Sequence, residues 1–257
     1  MSAFDWNDAL RLPDGALAGD RRVPKSVLAK QALLTKTERK VLDKVRRIGH
    51  FATVQKSTTR VPPHADDERD IQSVVVLHCE MADSAAYAEV ARLLHKCFPN
   101  PTVILFDGPD EACVSVASTR KSLAEQGAIV VDVVESTGGF SVADEAYRPF
   151  LDSLAFDRLS QEDLLAFLDD LQWNVRLSCG IGAVGFFPQC PTSGRERLAE
   201  LVARYGSLAG ELDEIVKRRR SDKDLTLNEG AHLRMRMRQL QNELDDVSDK
   251  IKEVCRG

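Results

Sequence analysis

The pattern of apolar and polar positions predicts two short helices first and a β-sheet after them. After Pro24 the apolar residues recur at helical spacing, and Thr35 and Glu38 are in capping-box register for a second helix. The segment 48–58 then alternates between polar and apolar residues, which predicts a strand. The run 74–77 is entirely β-branched or apolar and is typical of a strand buried on both faces.

The next elements alternate between one helix and three strands. An amphipathic helix is predicted up to Phe98, where Pro99 and Pro101 end it. Strands are predicted at 102–106, 111–119 and 128–135, and the first two of these form a hairpin. The helix before Thr102 would serve as a crossover that makes two strands parallel. This order predicts an α+β fold with a small mixed sheet and flanking helices.

Two heptad-like series predict a helical hairpin at the end of the chain. The apolar positions, at steps of three and four, are Leu198, Leu201, Tyr205, Leu208, Leu212 and Ile215, then Leu233, Met237, Leu240, Leu244, Val247, Ile251 and Val254. Residues 221–230 suit the turn between them. Two interpretations stay open, a bundle packed on the core or an arm that pairs with another copy or a partner. In the second, the oligomerisation residues are Leu208, Leu212, Ile215, Leu240, Leu244, Val247 and Ile251.

These patterns divide the chain into three predicted parts. They are an α+β domain at 1–138, a helical connector at 139–194, and a coiled-coil hairpin at 195–257. The length of 257 residues and the 43% of hydrophobic residues are sufficient for a buried core.

Composition narrows the compartment and the class of protein. The polar, acidic start of the chain does not resemble a secretory signal, and no apolar run is long enough to span a membrane. The six cysteines include no C-x-x-C pair, so we expect reduced, mostly buried thiols in a cytoplasmic protein without a structural zinc ion.

The charge is unevenly distributed along the chain. The net charge is −5, but residues 21–60 contain twelve basic residues against two acids, and 217–238 contain eight against three. Basic segments attract phosphates. The predicted binding residues for nucleic acid or an acidic partner, all near the hairpin turn, are Lys217, Arg218, Arg219, Arg220, Arg234, Arg236 and Arg238.

Motifs for catalysis are weak. Gly180, Gly182 and Gly185 match G-x-G-x-x-G, but the sequence before them is helical, whereas dinucleotide binding requires a preceding strand. The histidines are scattered without metal-ligand spacing. We therefore predict no catalytic residues, no metal and no cofactor.

A restriction-type nuclease is the remaining catalytic hypothesis. Such a core needs an acidic residue and a Glu-x-Lys on adjacent strands to hold magnesium. The buried strand ends in Glu80 and Met81 without a following lysine, and Asp70 precedes the strand. Cys79 beside His78 would provide a nucleophile pair, although a buried structural cysteine is the more common situation.

Four segments within residues 10–123 carry a resemblance to a known family. They are 23–28, 40–48, 70–77 and 98–106, which combine Pro-Lys before a helix with Pro before a hydrophobic strand. The order resembles an uncharacterised bacterial family of unknown function, DUF4391. Its members are often encoded beside DNA methyltransferases and helicase-type restriction subunits, and often carry an acidic residue and a lysine near the end of the buried strand, where this chain has Glu80 and Met81. The resemblance implies an anti-phage or restriction-linked context, and no active-site residue.

These observations favour a non-enzymatic accessory or adaptor subunit of such a system. Its expected partners are larger subunits of the helicase or methyltransferase type, with DNA contacts and self-association through the coiled coil as further expectations, and no membrane. The alternatives are an atypical metal-dependent nuclease using Glu80 with Asp70, and a nucleic-acid-binding module.

Overall fold

The computed structural model describes residues 4–124, 128–221 and 226–256. It divides into two compact units, residues 1–175 and 176–257. The first unit therefore extends beyond the predicted boundary at 138 and includes part of the predicted connector.

The first unit is built around a mixed sheet. Its strands are β1 (Leu17–Arg22), β2 (Val45–Val54), β3 (His64–Ala65), β4 (Asp70–Ile71), β5 (Val74–Met81), β6 (Thr102–Asp107), β7 (Ala112–Lys121) and β8 (Ile129–Ser136). Six of them form one sheet in the order β1-β2-β5-β6-β7-β8, and β3 pairs with β4. β5 and β6 are parallel, while the other neighbours are antiparallel. The predicted α+β class is confirmed.

Helices precede, connect and follow these strands. They are α1 (Trp6–Leu10), α2 (Lys25–Gln31), α3 (Lys36–Asp43), α4 (Lys56–Thr59), α5 (Tyr87–Cys97), α6 (Arg148–Ser153) and α7 (Leu164–Ser178). Thr35 and Glu38 form the predicted capping box at the start of α3. α5 is the predicted crossover between the parallel strands β5 and β6.

The alternation of β5 separates two faces of the sheet. Leu77, Cys79 and Met81 are buried in an apolar core with α3 and α5. Val76 lies on the opposite face, in a second apolar region that also includes residues of α1 and α7 and Leu154 after α6. His78 and Glu80 follow on this face because side chains alternate along a strand. The apolar surface of the second face thus ends in polar residues at the carboxyl end of β5.

The start of the sheet differs from the sequence prediction at two points. β1 was not predicted, because Pro13, Gly15 and Gly19 interrupt its pattern. The strand predicted at 48–58 is β2, which spans Val45–Val54, and the helix α4 follows it. The thiols were also expected to be mostly buried, whereas only Cys79 and Cys113 of the six free cysteines are fully buried.

The second unit is dominated by two long helices. α8 (Ile181–Val184) precedes α9 (Arg195–Ser221) and α10 (Leu227–Arg256). α9 and α10 pack antiparallel, since Glu211 near the middle of α9 pairs with Arg236 in the first half of α10. This is the helical hairpin that the heptad-like series predicts.

Candidate functional sites

The hairpin end displays five arginines, which we call the arginine tip: Arg218, Arg219 and Arg220 at the end of α9, and Arg234 and Arg238 on α10. All five side chains are exposed, and none forms an ion pair with a described residue. Arg219 also donates to the sulfur of Met237 across the hairpin, at 3.3 Å. The structure thus presents five guanidinium groups to solvent.

The other two predicted cations are engaged within the hairpin. Arg236 donates from Nε and Nη2 to the two carboxylate oxygens of Glu211, each at 2.9 Å. Lys217 Nζ lies 2.6 Å from Asp213 Oδ2, one turn earlier on α9. Bidentate pairs of this kind fix helix register, so we assign Arg236 to the hairpin itself.

The predicted seam residues differ in their burial. Leu240, Leu244, Val247 and Ile251 are buried, and the three on α9, namely Leu208, Leu212 and Ile215, are half-buried. From 203 to 239 no described residue is fully buried. The described side chains in this half of the hairpin are therefore exposed or only partly buried.

A second candidate site is a polar group at one end of the sheet in the first unit. We call it the sheet-end cluster, and its members are Trp6, Asp20, Arg47, His78, Glu80 and Asp107. Glu80 and Asp107 are register neighbours on the parallel strands β5 and β6, and Arg47 is the neighbour of Glu80 on β2. Asp20 reaches the group from β1, and Trp6 reaches it from α1. Carboxyl ends of parallel strands are common ligand positions in open sheets.

His78 is bonded through both ring nitrogens. Its Nε2 lies 2.9 Å from Asp107 Oδ2, and its Nδ1 lies 3.4 Å from Asp20 Oδ2. Trp6 Nε1 donates to the other oxygen of Asp107 at 2.9 Å. Arg47 pairs closely with Asp20 and lies 3.5 Å from Glu80. Two cations therefore stand between three carboxylates.

Asp20 is held in a backbone conformation that costs free energy. Its φ is +49°, in the left-handed region that residues other than glycine rarely adopt. Its Oδ1 is buried and accepts no hydrogen bond from a described residue. Gly49 makes this approach possible, because a Cβ at position 49 would lie 1.7 Å from Asp20 Oδ1. Strain of this kind persists only where the surrounding contacts compensate for it.

The electrostatics of the cluster favour a protonated His78. Burial by itself lowers the pKa of His78, but the hydrogen bond to Asp107 and the charges of Asp107 and Asp20 outweigh burial and raise it. In the protonated form, each ring nitrogen of His78 donates to a carboxylate, to Asp107 on one side and to Asp20 on the other. In that form neither ring nitrogen has a free lone pair for nucleophilic or general-base chemistry.

The two catalytic hypotheses receive no geometric support. Cys79 lies on the opposite face of β5 from His78, and burial raises the pKa of its thiol, so the two do not form a nucleophile pair. Asp70 pairs with Ala65 before β5 begins, whereas Glu80 is near the end of β5, roughly 20 Å along the strand. Among the described residues no three His, Cys, Asp or Glu side chains group as a metal site.

Comparison with known proteins gives a family and no activity. The model of the family described as a domain of unknown function, DUF4391, matches residues 10–244. The chain belongs to the DUF4391 family. No curated protein and no solved structure matches the chain. Within the described part of the chain, no helix has both the length and the apolar character needed to cross a membrane.

The family match covers the arginine tip and all of the sheet-end cluster except Trp6, since it extends from residue 10 to residue 244. Sequence reasoning found the arginine tip but missed the sheet-end cluster. The available signal was the alternate positions of β5, which change from Val74 and Val76 to His78 and Glu80 on one face. Nothing in the sequence pattern pointed to Asp20, because β1 itself was not predicted.

Proposed function

We propose that this DUF4391 member is a non-enzymatic accessory or adaptor subunit of a bacterial anti-phage or restriction-modification-linked complex in the cytoplasm. Its partners are larger subunits of the helicase or methyltransferase type. The observation that carries the proposal is the arginine tip, whose guanidinium groups are exposed and form no ion pair with a described residue. Such groups suit contacts with the phosphates of DNA.

Physical reasoning favours phosphate over a merely solvated surface. Solvated helix faces usually mix both signs of charge, whereas Arg218, Arg219 and Arg220 are consecutive. A neighbouring glutamate on α10, Glu229, accepts capping hydrogen bonds from Thr226, and its carboxylate also interacts with the charge of Arg218. The other arginines of the tip can exchange their counterions for a phosphate backbone.

The test is duplex-DNA binding measured by fluorescence anisotropy over a range of salt concentrations. Replacing Arg218, Arg219 and Arg220 with alanine removes up to three phosphate contacts, so the slope of log K against log salt should fall by about 2.7. Between 50 and 200 mM salt, the variant should therefore lose roughly 40-fold less affinity than the wild-type chain loses. The loss of binding should not depend on DNA sequence.

The matched control removes the same number of positive charges from another part of the hairpin. Arg197, Arg204 and Arg256 are also exposed, and Arg204 lies fourteen residues, roughly 21 Å, before Arg218 on α9. Their replacement with alanine should leave the slope unchanged. Equal effects of the two triple variants would mean that net charge alone acts, and absent DNA binding in the wild-type chain would contradict the DNA contact.

The sheet-end cluster favours this proposal over a nuclease. Its carboxylates come from neighbouring strands, as a magnesium site would require, but Arg47 and His78 already pair with them. A divalent ion would have to displace both cations. Cleavage of DNA by the wild-type chain with Mg²⁺ or Mn²⁺, abolished by Asp107→Asn, would support the nuclease instead.

A further inference from the structure

β8 is an outer strand of the sheet with exposed apolar side chains. No described strand pairs with its outer edge. Ile129, Val133 and Val134 are 43%, 37% and 40% exposed, the largest local group of exposed large apolar residues in the described chain. An uncovered β-branched edge invites strand pairing, so proteins usually blunt such edges.

The opposite edge of the sheet shows what a blunted edge looks like. β1 contains a register irregularity at the left-handed Asp20, and it ends in the exposed cations Arg21 and Arg22. β8 has one comparable device, a bulge between Val131 and Val134. Its only acid within the apolar run, Asp132, is bound to Arg69 and Arg120 at 2.9 and 3.2 Å.

A groove runs between β8 and α5. Thr119, Val131 and Val134 form its floor on the face that α5 covers, and Phe98, Arg92 and Lys96 line its other side. Lys96 pairs with Glu38 at 2.8 Å, whereas Arg92 is exposed and forms no ion pair with a described residue. The groove is thus apolar along the strand and basic along its rim.

We propose that β8 and this groove bind an extended, acidic segment of a partner subunit as an added strand. The inference rests on the adaptor function proposed above and assigns its protein-binding surface. Main-chain hydrogen bonds to an edge supply affinity, and alternate side chains in a groove supply specificity. A carboxylate on the added strand would pair with Arg92.

A second copy of the chain fits this surface less well than an acidic peptide. If two β8 strands paired, the second strand would place valines in the groove. Its Asp132 is bound to Arg69 on the other face, so it would supply no carboxylate to the groove. The bulge separates Val134 from a segment of about three residues, Ile129–Val131. Short segments suit a peptide strand better than the edge of another sheet.

The experiment selects binders from a displayed library of random dodecapeptides with the full chain as bait. Selected peptides should alternate β-branched and acidic residues, and synthetic copies methylated on alternate backbone nitrogens should lose binding. Val134→Lys and Arg92→Glu should each weaken binding by about tenfold or more. Val27→Lys is the matched control, because Val27 is 43% exposed on α2 and should change affinity less than about twofold.

Several outcomes would overturn the inference. One is a selection that returns no binder, and another is a selection that returns binders without acidic residues. Binding that is unchanged in Val134→Lys would overturn the inference as well. A dimer in light scattering that Val134→Lys dissociates would assign the edge to a second copy instead. DNA binding by Val134→Lys separates the two proposals, since it should persist if the arginine tip acts and only the edge inference fails.

Discussion

Gly49→Ala should destabilise the first unit through a single side-chain collision. The new Cβ would lie 1.7 Å from Asp20 Oδ1 and 2.7 Å from Asp20 Cγ. The carboxylate must then leave its position between Arg47 and His78, or β1 must separate from β2. Either movement breaks the contacts that hold Asp20 in its left-handed conformation.

The magnitude follows from two contributions. Overpacking a well-packed site costs about 1 to 3 kcal/mol. Loss of the hydrogen bond between Arg47 and Asp20 adds about 1 kcal/mol, at the low end for charged groups because both side chains are nearly one-third exposed. We therefore expect a decrease of about 2 to 4 kcal/mol in the free energy of unfolding.

The assay is urea unfolding followed by tryptophan fluorescence. Both tryptophans, Trp6 and Trp173, belong to the first unit, so the signal reports on that unit. The decisive comparison repeats Gly49→Ala in the background of Asp20→Gly, which removes the colliding carboxylate and suits the positive φ. There the substitution should cost less than about 1 kcal/mol, because only the backbone oxygen at 3.3 Å remains close.

Gly206→Ala is the control for the glycine itself. Nothing lies within 4 Å of a Cβ at this position in the middle of α9, so alanine should stabilise the helix by about 0.5 to 1 kcal/mol. An equal cost of Gly49→Ala in both backgrounds would refute the collision with Asp20 as its cause.

Further predictions concern pH and the hairpin. Burial lowers the pKa of His95 to about 3, so below about pH 6.5 the unfolded chain binds a proton at His95 and the folded chain does not. The free energy of unfolding should therefore fall with decreasing pH, by at most about 1.4 kcal/mol per pH unit. His95→Gln should flatten this decline in unfolding curves. The pKa of His78 is raised, so the contribution of its charged form to the free energy of unfolding is complete below about pH 6.5. This contribution is lost as the pH rises through the raised pKa. His78→Gln should remove that loss of stability. Leu244→Asp should cost several kcal/mol and more than Leu212→Asp, since Leu244 is buried and Leu212 half-buried. If the seam also joins two chains, both substitutions should lower the mass in light scattering, and unchanged mass with unchanged thermal stability would contradict a role for the seam.

The elements of the sheet were predictable where local signals agreed. The capping box of Thr35 and Glu38 set the start of α3, and the prolines after Phe98 marked the end of α5. The apolar run of β5 indicated a buried strand because both of its faces are covered. β1 escaped prediction because three breakers precede or interrupt it, and its pairing with β2 depends on Gly49, a contact that no local pattern encodes.

The same distinction explains the candidate sites. Lys217 to Arg220 are adjacent in sequence, so their charge was visible without a fold. The sheet-end cluster instead joins Trp6 to Asp107, separated by 101 positions, and Asp20 to His78, separated by 58. Only strand order brings these residues together, and strand order was not predicted in detail.

The two kinds of candidate site differ in how far their polar groups are already paired within the chain. In the sheet-end cluster, His78 and Arg47 are each bonded to carboxylates, so the cluster holds α1 and β1 against the parallel strands. Breaking such partly buried pairs costs free energy, so the cluster is better suited to holding these elements together than to catalysis. At the arginine tip the guanidinium groups are exposed and form no ion pair with a described residue, and no described strand pairs with the outer edge of β8. A binding partner can satisfy such groups, and this is why we propose that the chain acts through contacts at its surfaces.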